Sequence, residues 1–210
     1  MMIIIAVIGV VVLGFLAFRL QGIFRPGPMS MALERFFLGN PLRMRYFGPR
    51  QSLGLMGNVE HQHVLEVGVG TGVIVSALAE RVGKAGQVAG LDIQPKALEL
   101  ARRRVLQGAI LEPELRLGTA EALPWDSGVF DWVVIVAMLG ELPSPRRAGA
   151  LAEAKRVLKP EGRILITEFW PDPHYLKPQL IRHYCADTGL KIVTIKRHPM
   201  IYSVVVAKMH

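Results

Sequence analysis

One short stretch, Glu66-Val67-Gly68-Val69-Gly70-Thr71-Gly72, has the residue types and spacing to hold a ligand. Alternate glycines let the backbone turn tightly and approach a bound molecule, because no Cβ intervenes. When such a turn joins a strand to a helix, it also aims the free amides of the helix N-terminus at that molecule. Short glycine runs also make tight turns that hold nothing, so the spacing matters. A dinucleotide fingerprint reads G-x-G-x-x-G. Here Gly72 falls one residue early for that pattern and position 73 is Val, which disfavours a nicotinamide oxidoreductase. Asp92 follows about twenty residues past the loop, where a carboxylate at a strand end can accept hydrogen bonds from both hydroxyls of a ribose. Its plainer reading is a cap before Pro95.

The form E-x-G-x-G-x-G resembles motif I of the class I S-adenosylmethionine-dependent methyltransferases, whose loop wraps the methionine end of the cofactor. Further segments are similar to that family in the expected order. Gly118-Thr119-Ala120-Glu121-Ala122-Leu123-Pro124-Trp125 resembles its adenine-binding loop, departing at Thr119 where the family commonly has Asp. Phe130-Asp131-Trp132-Val133-Val134 resembles the fourth-strand motif. Arg156-Val157-Leu158-Lys159-Pro160-Glu161-Gly162-Arg163 resembles the turn into strand five, with Glu161 in place of the usual Gly. The resemblance runs from His63 to His210 and is nearest the ubiquinone/menaquinone-type and small-molecule branch. It implies a Rossmann-like α/β fold, a seven-stranded, mostly parallel sheet ordered 3-2-1-4-5-7-6 with strand seven antiparallel. It implies S-adenosyl-L-methionine as cofactor, contacted by Glu66, Gly68, Val69, Gly70, Thr71, Gly72, Asp92, Ile93, Thr119, Ala120, Glu121, Ala137 and Leu139.

Methyl transfer is an in-line displacement at a carbon already activated by its sulfonium, so the cofactor carries the difficult chemistry. The protein mainly aligns acceptor and methyl group. A base is required only where the acceptor loses a proton. Strand five leads into Thr167-Glu168-Phe169-Trp170-Pro171-Asp172-Pro173-His174-Tyr175, which places Glu168, His174 and Tyr175 as candidates. His174 also fits a helix cap and Glu168 a structural acceptor; Trp170 reads as a wall. No residue is assigned to a metal.

These residues require a scaffold that the chain spells out by alternation. Strands are expected at 64–67, 88–91, 114–117, 130–137, 163–167, 191–196 and 202–208, with helices at 73–81, 95–105, 144–158 and 178–188. The stretch from Phe130 to Ala137 is almost wholly apolar, as a central strand covered on both faces should be. Ligands in open α/β sheets bind beyond the carboxyl ends of the strands, where all the candidates above converge.

The N-terminal part is of another kind. Of 210 residues 51% are hydrophobic, and residues 1–18 contain no charged or strongly polar side chain. A helix of that length is about 27 Å long, close to the hydrocarbon thickness of a bilayer. A cleaved signal peptide would have a basic start and a small-residue cleavage site, both missing here. A buried core helix is rarely apolar all round. A transmembrane anchor over 1–20 is therefore expected, followed by a juxtamembrane basic and amphipathic lid segment over 21–60 and the cofactor-binding domain over 61–210. Arg19, Arg25, Arg35, Arg43, Arg45 and Arg50 follow the apolar run and no Lys or Arg precedes it, which places the catalytic domain on the cytoplasmic side. Within the lid segment a short helix is expected over 31–38, and 42–56 reads as an interfacial or lid-forming stretch rather than as a core strand.

The formal net charge is +8, which suits anionic head groups or nucleic acid. With an anchor and no appended RNA-binding module, no nucleic acid partner is expected. The acceptor is expected to be lipophilic or amphipathic: a quinone-like compound, a phospholipid head group or a small lipophilic molecule. An RNA or protein methyltransferase, and a non-catalytic membrane adaptor retaining the cofactor fold, are the competing readings. The single cysteine, Cys185, excludes an internal disulfide.

Overall fold

The computed structural model describes residues 48–108, 111–170 and 172–209. The expected anchor over 1–20 and the helix over 31–38 lie outside them. Among the described residues no helix is long and apolar enough to cross a membrane.

Seven strands form one sheet: β1 (His63–Val67), β2 (Gln87–Asp92), β3 (Glu114–Leu117), β4 (Phe130–Val136), β5 (Leu158–Phe169), β6 (Leu190–His198) and β7 (Ile201–Lys208). Their order is β3-β2-β1-β4-β5-β7-β6, as expected. The first five are parallel, and β7 runs antiparallel to both β5 and β6. The helices are α1 (Pro49–Ser52), α2 (Val73–Val82), α3 (Pro95–Val105), α4 (Ser144–Val157) and α5 (Pro178–Asp187), with a 3-10 turn at Leu139–Glu141. Pro stands in the first turn of α1, α3, α4 and α5, where its missing N–H costs no hydrogen bond.

The pleat divides the core. Val67, Leu91, Ile135, Ile166 and Val204 face α4 and α5, meeting Leu151, Ile181 and Tyr184. Val64, Val88, Val134, Leu165 and Val205 face α2 and α3, meeting Leu78, Leu98 and Val105. Both faces of the central strands are covered, which is why they read as continuous apolar runs.

Two expectations need correction. The described part of the stretch 42–56 is not wholly interfacial: Leu53 and Met56, with Val59 just after them, are buried against the α2 side of the sheet. The carbonyl of the buried Ser52 accepts from the Thr167 hydroxyl at 3.1 Å, and α1 packs on β7. Two helices leave part of that sheet face bare, and the segment before β1 covers it. Strand five also begins at Leu158 rather than 163. Leu158 pairs with Phe130, and a bulge then shifts the register so that Arg163 pairs with Trp132.

Leu53→Ala tests whether this segment belongs to the core. Removing a 1% exposed leucine is expected to cost about 2–5 kcal/mol in urea unfolding. A loss below about 0.5 kcal/mol, the usual surface value, would detach the segment from the domain.

Candidate functional site

The glycine loop leaves β1 in left-handed backbone: φ is 86° at Gly68, 47° at Gly70 and 81° at Gly72. Gly72 starts α2, and a Cβ there would sit 2.5 Å from the Ala101 Cα of α3. Only glycine allows both the turn and that approach. The first amides of α2 have no partner within the helix and lie at the carboxyl edge of the sheet.

Asp92, 6% exposed, closes β2 beside this loop. Its Oδ2 accepts the Gly70 N–H at 2.9 Å and its Oδ1 accepts the Gln94 N–H at 2.8 Å. The Leu91 carbonyl next to it accepts the N–H groups of Gly68 at 2.7 Å and Val69 at 3.2 Å. One short stretch of β2 thus fixes the loop that follows β1. Glu66, Val69 and Thr71 are buried at the same edge, and Ile93 is exposed at its rim.

The loop after β3 comes next. The Gly118 N–H donates to the Asp92 carbonyl at 3.1 Å, bringing Thr119 and the buried Ala120 to the Asp92 end. Glu121 pairs with Arg146 of α4. The rest of the loop is held by two residues the sequence reading did not single out. Arg156 donates to the carbonyls of Trp125 at 2.8 Å and Leu123 at 2.9 Å. Glu153 accepts the Leu123 N–H at 2.9 Å and grips Arg156 through two bonds of 2.7 and 2.8 Å. Arg156 opens the motif quoted for the turn into strand five, but nothing in that motif says which loop it holds.

The third part lies beyond β4 and β5. Ala137 has φ 52°, strained for a residue with a Cβ, and turns the chain out of β4. Its N–H donates to the Thr167 carbonyl at 2.9 Å. The turn that follows bridges two regions. A Cβ on Gly68 would lie 2.7 Å from Met138 Cγ, and one on Gly140 would lie 1.8 Å from the His174 carbonyl oxygen. Leu139 between them is fully buried. Arg147 of α4 clamps this turn, donating to the carbonyls of Leu142 at 2.9 Å and Gly140 at 3.1 Å.

Glu168 is 1% exposed, with Oε2 accepting the Leu176 N–H at 3.2 Å. Burial pushes its carboxyl well above the usual carboxylate range, and the neighbouring Asp172 adds to the rise. That shift favours the protonated form of Glu168. Asp172, 5% exposed, accepts the His174 N–H at 2.7 Å, and its Oδ1 lies 3.6 Å from His174 Nδ1. Glu168 Oε1, Asp172 Oδ2 and both ring nitrogens of His174 are buried without a hydrogen-bond partner. Tyr175 packs edge-on against Tyr202, 5.6 Å between ring centres, in the wall of this cluster. Asp172 was missed in sequence, although an Asp two residues before His174 is the spacing of an Asx turn. Among the described residues no group of three His, Cys, Asp or Glu side chains is placed to hold a metal ion.

Residues 64–162 match the family described as a methyltransferase domain. The chain is 34% identical over 150 residues to the ubiquinone/menaquinone biosynthesis C-methyltransferase UbiE of Paraburkholderia xenovorans, covering 65% of this chain and 60% of that protein. It is 37% identical over 131 residues to the demethylmenaquinone methyltransferase of Lactiplantibacillus plantarum, covering 61% and 54%. The matches thus span 42–60% of the length of such relatives. A crystal structure of a SAM-dependent methyltransferase from Aquifex aeolicus shares the fold, with TM-score 0.76 and 22% identity over 85% of this chain and 98% of that one.

Asp92→Asn should weaken S-adenosylhomocysteine binding about 10- to 100-fold by calorimetry, since hydrogen bonds to a charged acceptor contribute about 1.5–3 kcal/mol. Unchanged affinity would remove Asp92 from the site. Glu168 gives a pH signature. The folded carboxyl keeps its proton where the unfolded one, with an ordinary value of 4.5, has lost it. Its contribution to stability therefore falls as pH rises above that value. Glu168→Gln should gain stability relative to the parent between pH 5 and pH 8 in urea unfolding. A pH-independent difference would mean that Glu168 is ionised.

Proposed function

We propose, for a chain that carries a class I S-adenosylmethionine-dependent methyltransferase domain related to UbiE, that it moves the cofactor's methyl group to a quinone-like or other lipophilic acceptor. The observation that carries this reading is the loop fixed by Asp92. Three left-handed glycines, a buried carboxylate and the first amides of α2 meet at the carboxyl edge of the sheet, with the clamped 118–125 loop beside them.

The cofactor supplies an activated methyl group. The residues of the chain bind and orient it: Asp92 toward the ribose, the glycine loop toward the methionine end, and Thr119 and Ala120 toward the adenine. The turn over residues 138–141 and the loop after β5 are the acceptor side. An acceptor hydroxyl that must lose its proton would give it to His174, beside the Asp172 carboxylate, while the neutral Glu168 offers a donor rather than a base. The relatives named above support a quinone-like ring as the acceptor.

We further assign the apolar residues 1–18 to a membrane anchor with the catalytic domain on the cytoplasmic side. The reading is supported by the arginines that follow the run. An anchored domain would meet a lipophilic acceptor without that molecule crossing water.

The test uses full-length protein in membranes washed with high salt, with radiolabelled S-adenosylmethionine. Label is expected in the lipid extract, in a species carrying a quinone-like ring. His174→Gln should lower kcat by about a hundredfold or more, the usual range for a lost base, and leave S-adenosylhomocysteine affinity unchanged. Label confined to RNA or protein would replace this reading with one of those substrates, and no transfer despite cofactor binding would favour a non-catalytic adaptor.

A further inference from the structure

Because β7 is antiparallel to both β5 and β6, β6 runs in the direction of β5. The carboxyl end of β6 and the turn into β7 therefore lie at the same edge of the sheet as the glycine loop. The Trp170 N–H, just past β5, donates to the Met200 carbonyl at 2.9 Å and ties this turn to the acceptor-side loop. Trp170 is 51% and Met200 39% exposed. Lys196, Arg197, His198 and Pro199 are also exposed. Residues 188–209 contain no Asp or Glu, and the acids below the patch, Glu168 and Asp172, are buried. The patch thus joins an exposed indole and thioether to the end of β6 that carries Lys196 and Arg197, with no acid in that segment.

We propose that the β6–β7 turn and Trp170 form a docking surface for an anionic lipid bilayer, which seats the acceptor side of the domain against the membrane. This rests on the reading that the acceptor is lipophilic. Tryptophan favours the head-group level of a bilayer because its ring is apolar and its N–H is polar. Each Lys or Arg near an anionic leaflet strengthens attachment roughly fivefold. A second copy of the chain fits less well. Two protruding apolar side chains fall far short of the roughly 1,200 Å² that a stable interface buries, and the like charges of two such patches repel.

The experiment places full-length protein in vesicles of phosphatidylcholine, with or without phosphatidylserine, carrying lipids brominated near the head group. Trp132 is buried and Trp125 half-buried on another part of the domain, so Trp170→Phe identifies the Trp170 share of the emission. That share should be quenched in phosphatidylserine vesicles and recover in high salt. The double variant Lys196→Gln, Arg197→Gln should lower the ratio of docked to undocked domain roughly 25-fold, from two fivefold factors. Trp170 left unquenched in anionic vesicles, or quenched regardless of lipid charge and of the two cations, would overturn the proposal. So would a dimer in sedimentation that Trp170→Phe dissociates. Methyl transfer to a short, water-soluble acceptor is measured on the same variants. Transfer without quenching would remove the docking surface alone, whereas quenching without any transfer would keep the surface and remove the proposed function.

Discussion

The site hangs on one carboxylate. Asp92 is bonded through separate oxygens to Gly70 of the preceding loop and to Gln94 ahead of α3. The backbone beside it takes the amides of Gly68, Val69 and Gly118. Strand β2 is thus the post against which the loops after β1 and β3 are both set. A left-handed glycine loop left to itself would sample many shapes, since glycine loses the most backbone freedom on folding. The acid converts that freedom into one geometry while staying at the edge where a ribose would arrive.

The second organising contact is steric. The short turn after β4 touches Gly68 through Met138 and the His174 carbonyl through Gly140. The cofactor side and the acceptor side are therefore packed against the same few residues, and Arg147 stiffens the turn by taking two of its carbonyls. In an in-line transfer the distance between methyl donor and acceptor decides the rate. A turn pressed between the two sides is the element best placed to set that distance.

Much of the fold was legible because parallel strands buried on both faces write themselves as apolar runs, and because proline and glycine mark the helix ends. The segments at the candidate cofactor edge were marked locally, by glycines at one strand end and an acid at the next, although Asp92 acts on Gly70, which is remote from it in sequence. What escaped was tertiary. Arg156 and Glu153 sit on α4 and hold a loop about thirty residues away, and no periodicity reports that. Leu53 and Val59 flank no regular element long enough to show a period, yet both fill the core. Strand β5 was read short because Lys159-Pro160-Glu161-Gly162 has turn composition; the bulge absorbs it and pairing continues to Leu158. Asp172 stands two residues before a histidine, and its Oδ1 lies 3.6 Å from that ring's Nδ1.

The antiparallel end of the sheet imposes an order of assembly. Strand β6 precedes β7 along the chain, yet among the described residues it pairs with β7 and not with β5, which β7 joins on the side away from β4. On a ribosome β6 emerges first and has no edge to join. It must wait until Lys208 of β7 has left the exit tunnel and the hairpin can add to β5 as a unit. During that interval the edge of β5 is an open row of amides and carbonyls, the kind of surface on which strands of other chains can add. The parallel half, β1 to β5, can form while synthesis continues, but its last edge is closed only by the final hairpin. A hairpin slow to form would therefore leave the β5 edge exposed longest, and yield would fall with it.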